Sequence, residues 1–145
     1  MDGERLAVSG EQAGNIEVKM PQAVVAADKE IVVPVTVHGA ADKEITSYEF
    51  DLRYDPSVIQ PSPEPVDVVG TVSRGLSVVT NTTEPGLLRV VVYGAMPIDE
   101  DGVLLNLRFT AVGAAGSASP LVWERVMFNE GEPGVRPTDG RVEIK

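Results

Sequence analysis

The chain alternates apolar and polar residues over many short stretches, and Gly, Pro, Asn and Asp separate these stretches. This period of two is typical of β-strands that bury one face. The clearest example is SYEFDLRY (47–54), whose even-numbered residues are large and apolar while its odd-numbered residues are polar or charged. An Asp-Pro pair at 55–56 ends this strand, and we expect the aspartate to cap the backbone of the turn that follows.

Nine segments carry this signal. The predicted strands are 15–20, 30–39, 47–54, 66–69, 76–81, 86–95, 102–113, 121–129 and 140–145. PSPEP (61–65) is predicted to be a rigid surface loop, and Pro34 indicates an edge strand or a bulge because proline cannot donate to a ladder. Alternation is lost around Arg125, which also indicates a bulge. The sequence therefore predicts an all-β, nine-stranded, two-sheet β-sandwich over residues 15–145.

The segment GLLRVVVYGA (86–95) predicts which residues leave the core. If its leucines and alternate valines point inward, Arg89, Val91 and Tyr93 point outward. An outward valine and tyrosine in mid-sheet favour a surface that contacts a partner. The alternative is that a loop covers them.

Composition narrows the class of function. The 145 residues carry a formal net charge of −10 with a pI near 4.5, which argues against nucleic-acid binding and against an anionic membrane surface. Cysteine is absent, so thiolate catalysis and cysteine-ligated zinc are excluded, although the compartment is not decided. Residues 1–14 have no apolar core of a secretory signal and are interpreted as a tail or linker. Both a cytosolic protein and a module of a longer secreted chain remain open.

The sequence has few residues that could form a catalytic or metal site. His38 is the only histidine and is expected at a solvent-facing strand end rather than in a catalytic triad or a transition-metal site. IDEDG (98–102) lacks the alternating spacing of a calcium loop and is predicted to be a solvated turn. Glu49 and Asp51 lie about 7 Å apart along one strand face, a spacing that suits paired carboxylates. That face has no aromatic cradle for a sugar, so we expect no enzyme activity. Trp123 is predicted to be a core or core-edge anchor.

Several of these segments together resemble a cohesin module. They are VPVTV (33–37), ITSYEFDLRYDPSVI (45–59), DGVLLNLRFTAVG (101–113), FNEGEP (128–133) and DGRVEI (139–144). The resemblance implies a nine-stranded jelly-roll sandwich that binds a dockerin, with calcium held by the dockerin and no cofactor or metal in this chain. It also implies an extracellular or cell-surface location as part of a larger secreted protein, in a system for polysaccharide degradation. A carbohydrate-binding module of similar sandwich fold is the alternative.

The resemblance also implies where the partner binds. Cohesins present a flat sheet face built from their strands 8, 3, 6 and 5, which correspond by position to 104–110, 47–54, 87–94 and 76–81. The residues this assigns to partner binding are Ser47, Glu49, Asp51, Val79, Asn81, Arg89, Val91, Tyr93, Leu104 and Asn106. The acidic net charge favours a partner with basic groups, for which Glu49 and Asp51 would be the acceptors.

Overall fold

The computed structural model describes residues 15–145 and has eleven β-strands within that range. The first six are β1 (Ile16–Lys19), β2 (Gln22–Val25), β3 (Glu30–His38), β4 (Ile45–Arg53), β5 (Ile59–Asp67) and β6 (Ser77–Asn81). The other five are β7 (Leu87–Ile98), β8 (Gly102–Ala111), β9 (Ala118–Phe128), β10 (Val135–Thr138) and β11 (Gly140–Ile144). The described part of the chain includes no helix long and apolar enough to cross a membrane. The predicted tail or linker, residues 1–14, lies outside the described residues.

The strands form two sheets that pack face to face. One sheet has the order β10-β1-β3-β8-β5, and the other has the order β2-β11-β9-β4-β7-β6. The predicted all-β, two-sheet architecture is therefore confirmed, whereas the predicted count of nine strands is wrong for the described range. The two unpredicted strands, β2 and β10, have four residues each and pair with parallel partners near the chain ends. β1 is equally short but alternates apolar and polar residues, whereas QAVV (22–25) does not alternate and VRPT (135–138) contains a proline.

The prediction that PSPEP (61–65) forms a surface loop is also wrong. The segment lies within β5 rather than in a surface loop. β5 is an edge strand, so its prolines cost few ladder hydrogen bonds. Its pairing with β8 is interrupted between Pro61 and Val66. Pro34, in contrast, lies in an interior strand, one residue before the irregularity between Val35 and Thr36.

The apolar face of β4 lies in the centre of the sandwich. Tyr48, Phe50 and Leu52 are at most 1% exposed, as the alternation predicts. Trp123 packs edge-on against Phe50, with ring centroids 5.1 Å apart, and its indole N–H donates to the carbonyl of Thr138 at 2.9 Å. The tryptophan is therefore a core-edge anchor, as predicted. The predicted bulge in β9 is also present, because the register with β4 shifts beside Arg125.

The polar loops follow the sequence interpretation. Asp55 Oδ1 accepts hydrogen bonds from the backbone N–H of Ser57 at 2.9 Å and from its hydroxyl at 2.6 Å, which makes Asp55 the cap of its turn. His38 is exposed at the end of β3, where its Nδ1 lies 3.1 Å from Asp101. Asp101 and Asp99 accept backbone hydrogen bonds from the segment after β3. The acidic cluster therefore ties two loops together.

Candidate protein-binding face

Four neighbouring strands, β9-β4-β7-β6, present one side to the core and the other to solvent. We call their solvent side the outer face. Register places its residues in rows across the strands. The first row joins Ser47 to Tyr93 and Ser77. The second row joins Glu49 to Val91 and Val79 on one side and to Met127 on the other, and the third joins Asp51 to Arg89, Asn81 and Arg125.

An apolar patch occupies the β6–β7 side of the outer face. Val79, Val91 and Tyr93 are 53%, 38% and 48% exposed. Leu88, Val90 and Val92, which alternate with the outward residues along β7, are fully buried. The predicted register of this strand is therefore confirmed, and no loop within residues 15–145 covers the patch. Exposed β-branched and aromatic side chains that touch along and across strands form the kind of centre around which protein interfaces are built.

Ion pairs border this patch. Arg125 hydrogen-bonds to Glu49, and Arg89 Nε lies 3.8 Å from Asp51 Oδ1. The hydrogen bond to Glu49 raises the pKa of Arg125 above its ordinary value, so the guanidinium stays charged. The carboxylates predicted to accept from a basic partner thus already face arginines on adjacent strands. The outer face is locally close to neutral in a chain whose formal charge is −10.

The β9–β4 end of the outer face carries a further charged cluster. Arg53 donates to Glu84 at 3.0 Å and to Glu124 at 2.8 Å. Glu124 is the residue that the bulge in β9 adds opposite β4. Because these pairs are exposed, they contribute little to stability and instead define a polar rim.

Asn81 ends β6 and uses its side chain partly within the chain. Its Oδ1 accepts hydrogen bonds from the backbone N–H and the hydroxyl of Thr83, at 3.0 and 2.8 Å. The amide nitrogen of Asn81 makes no hydrogen bond within the described residues. A partner on the outer face could therefore find a donor here but not a free acceptor.

Two of the predicted binding residues lie elsewhere. Leu104 and Asn106 belong to β8, which is in the five-stranded sheet. Leu104 is 1% exposed and forms part of the core, while Asn106 pairs with Pro34 and Asp67. The prediction that β8 flanks the strand 47–54 is wrong, because that position is taken by β9.

Because β8 was predicted in the position that β9 occupies, the outer-face residues of β9 were not predicted. Arg125, Met127 and Glu124 lie on the outer face beside β4. The sequence held one signal for them, the loss of alternation around Arg125, because a bulge turns two successive residues to the same side. Both β8 and β9 are apolar enough for an interior position, so their patterns alone did not distinguish them.

The structure gives little support for sugar binding, metal binding or catalysis on the outer face. Tyr93 is the only aromatic side chain exposed among the described residues, whereas a sugar platform uses a strip of them. The described residues contain no group of three His, Asp or Glu side chains placed to hold a metal ion. The depression on the outer face is lined by Glu49, Asp51, Arg89, Val91 and Arg125. Its walls are ion pairs, and neither carboxylate lies in an apolar cleft of the kind that general acid catalysis needs.

Comparison with known proteins agrees with this geometry. The family model for the cohesin domain matches residues 16–144. The fold is similar to the seventh ScaB type I cohesin of Pseudobacteroides cellulosolvens, with a TM-score of 0.76, 19% identity, and coverage of 90% of this chain and 92% of that one. No curated protein matches the chain.

Two further solved structures are similar. The Coh-OlpA-Doc918 cohesin–dockerin complex from Clostridium thermocellum aligns with a TM-score of 0.73 and 23% identity, covering 90% of this chain and 99% of that one. A non-cellulosomal cohesin from the archaeon Archaeoglobus fulgidus aligns with a TM-score of 0.73 and 21% identity, covering 90% and 91%. At these identities the likeness concerns the fold.

Proposed function

The chain belongs to the cohesin domain family, and on that premise we propose that it is a non-catalytic module that binds a dockerin through the outer face. The observation that carries this proposal is the exposed patch of Val79, Val91 and Tyr93, which lies in mid-sheet and is bordered by ion pairs. The fold relatives that are described as complexes with dockerins support the choice of partner.

The apolar patch and the ion pairs that border it have different roles in the proposed interface. Burial of the apolar patch supplies most of the affinity, because hot spots concentrate in aromatic and apolar side chains at the centre of an interface. The pairs Asp51–Arg89 and Glu49–Arg125 present both signs of charge, so they select among partners and affect association rates. Since both carboxylates are paired, the partner need not be basic overall.

A calorimetric titration tests the proposal. The chain is titrated with a panel of dockerins of different types in the presence of calcium, which we expect the dockerin to hold. One-to-one binding to a panel member is the expected result. Tyr93→Ala should weaken that binding about tenfold or more, as removal of an aromatic anchor does. Asp51→Ala should also weaken it, because Arg89 is left without its partner at the interface.

A matched control separates binding from folding. Val32 is 49% exposed, much like Tyr93, but it lies on the outward side of β3 in the other sheet. Val32→Ala should bind as the unsubstituted chain does, and all three variants should keep nearly unchanged melting temperatures. Equal losses from Val32→Ala and Tyr93→Ala would place the contact elsewhere. No binding to any dockerin, together with retention on cellulose or another glycan, would replace the proposal with a carbohydrate-binding module.

The proposal also covers where the module acts and in which biological system. We propose that the module acts outside the cell or at its surface as part of a larger protein, and that its connectivity is the jelly roll of its family. A role in polysaccharide degradation depends on the partner, since one similar cohesin is described as non-cellulosomal. Identification of enzymes attached to the bound dockerin would decide it.

A further inference from the structure

The end of β6 carries the triplet NTT (81–83). This is the acceptor pattern of N-glycosylation, in which a serine or threonine follows the asparagine by two residues and no proline stands between them. The other three asparagines, Asn15, Asn106 and Asn129, are followed at that distance by glutamate, arginine and glycine. Because so short a triplet also arises by chance, its structural setting decides whether it can react.

The triplet is accessible in the folded chain. All three of its residues are exposed. Within the described residues β6 pairs with β7 alone, so no other strand obstructs approach from its open side. Asn81 is the last residue of β6, and the surface loop that follows it leads to β7 at Leu87. Such loops tolerate bulky groups, so an enzyme can reach Asn81 without unfolding the sandwich.

The side-chain amide of Asn81 has an occupied oxygen and an unoccupied nitrogen. Its Oδ1 accepts hydrogen bonds from the N–H of Thr83 at 3.0 Å and from the hydroxyl of Thr83 at 2.8 Å, which forms an Asx turn. Its Nδ2 makes no hydrogen bond within the described residues. Two donors stabilise the negative charge that Oδ1 carries when Nδ2 loses a proton. The turn therefore makes the nitrogen easier to deprotonate and better able to attack a sugar.

Asn129 has the opposite arrangement. Its Nδ2 donates to the carbonyls of Glu44 and Glu132, at 3.4 and 3.2 Å, and its Oδ1 accepts from the N–H of Thr46 at 3.0 Å. Asn129 thus holds two loops together through both ends of its amide. The nitrogen of Asn81 has no such structural role.

We propose that Asn81 is the acceptor of an N-linked glycan. In the transfer, Nδ2 loses a proton to a carboxylate of an oligosaccharide transferase and attacks the anomeric carbon of a sugar carried on a lipid pyrophosphate. A C–N bond forms while the C–O bond to the pyrophosphate breaks. The lipid pyrophosphate leaves with the electron pair of that bond, so nothing is oxidised or reduced. The inference rests on the location outside the cell proposed above and does not depend on dockerin binding.

A glycan at Asn81 would lie on the outer face. Register places Asn81 opposite Arg89, which faces Asp51 on the next strand. Val79, in the apolar patch, lies on the same side two residues earlier, about 7 Å away along the strand. Several linked sugars at this position would obstruct approach to the patch. Glycosylation would therefore weaken the contact proposed for the outer face, a consequence that rests on the proposed function.

Glycan transfer to the purified, folded chain tests the site. The chain is incubated with a transferase that recognises Asn-x-Ser/Thr and with an oligosaccharide on a lipid pyrophosphate, and the product is mapped by peptide mass spectrometry. We expect a single glycan, on Asn81. It should be absent from Asn81→Gln and from Thr83→Val, which keeps the shape of the side chain but removes the hydroxyl. Thr83→Ser keeps both donors and should still be modified.

Arg108→Thr in an Asn81→Gln background is the matched control. It creates the triplet Asn-Leu-Thr at 106–108 in the middle of β8, whose backbone is paired with strands on both sides. This backbone cannot form the turn, so the triplet should stay unmodified in the folded variant and accept a glycan after heat denaturation. Absence of a glycan on Asn81 of the folded chain, or equally ready modification of Asn106 in the folded control, would overturn the inference.

Calorimetry tests the effect on binding separately. A dockerin that binds the unmodified chain should bind the glycosylated chain about tenfold more weakly or worse, because the centre of the interface is obstructed. Equal affinities would overturn the obstruction, while the mapping alone decides the acceptor site. No dockerin binding by either form would refute the proposed function and the obstruction with it, but not the acceptor site.

Discussion

Replacing Phe50 by alanine removes a large buried side chain at the centre of the inner face of β4. Phe50 is 1% exposed and packs edge-on against Trp123 at 5.1 Å between ring centroids. Truncation of a buried phenylalanine costs about 3–5 kcal/mol, and a lost aromatic pair contributes about 0.5–1.5 kcal/mol of stability. We therefore expect a loss in the upper half of that range, about 4–5 kcal/mol.

Urea denaturation followed by circular dichroism measures this loss. Fluorescence is a poor choice of probe, because the only tryptophan contacts the substituted residue. A domain of this size has a free energy of unfolding of about 5–15 kcal/mol, so the variant should be close to its folding limit. Its melting temperature should fall by about 15 °C.

Tyr93→Ala is the matched control, since Tyr93 lies on the adjacent strand but is 48% exposed. Its loss should stay below about 1 kcal/mol. A loss below about 1.5 kcal/mol for Phe50→Ala, or equal losses for the two variants, would refute the assignment of inner and outer faces to β4 and β7.

Three further predictions concern particular contacts. In Gly140→Ala the new Cβ would lie 2.5 Å from the carbonyl oxygen of Pro21, so thermal unfolding should show a loss of about 1–3 kcal/mol, and a neutral effect would contradict this packing. Hydrogen bonds from Ser57 lower the pKa of Asp55 below its ordinary 3.8. The contribution of Asp55 to folding stability is therefore complete above that pH and is lost as the pH falls through the folded-state pKa. Asp55→Ala should flatten the acid limb of the curve of stability against pH, and an unchanged limb would contradict the cap. Burial raises the pKa of Tyr48, so its phenolate should appear in alkaline difference spectra only when the protein unfolds, and ionisation in the folded state would show that the hydroxyl is accessible.

Patterns within one strand were enough to predict its two faces. The alternation from Tyr48 to Tyr54 and the outward turn of Val91 and Tyr93 are both present, because the side chains of a strand alternate whatever its neighbours are. The cap at Asp55 followed from local turn chemistry in the same way.

Which strands lie side by side was harder to predict. β8 and β9 are both apolar and interior, and only long-range pairing decides that β9 lies beside β4. Leu104 and Asn106 were misplaced for that reason, and Met127 was missed. The prolines of β5 gave a loop signal that its edge position overrode.

The measurement that bears most directly on the central claim is a methyl NMR titration. The chain, with labelled valine and leucine methyl groups, is titrated with a dockerin in the presence of calcium. We predict shift changes and intermolecular contacts at Val79 and Val91, and none at Val32 on the other sheet. Perturbation of Val32 with silent Val79 and Val91 would contradict the assigned face, and unchanged spectra across a full dockerin panel would contradict the proposed function.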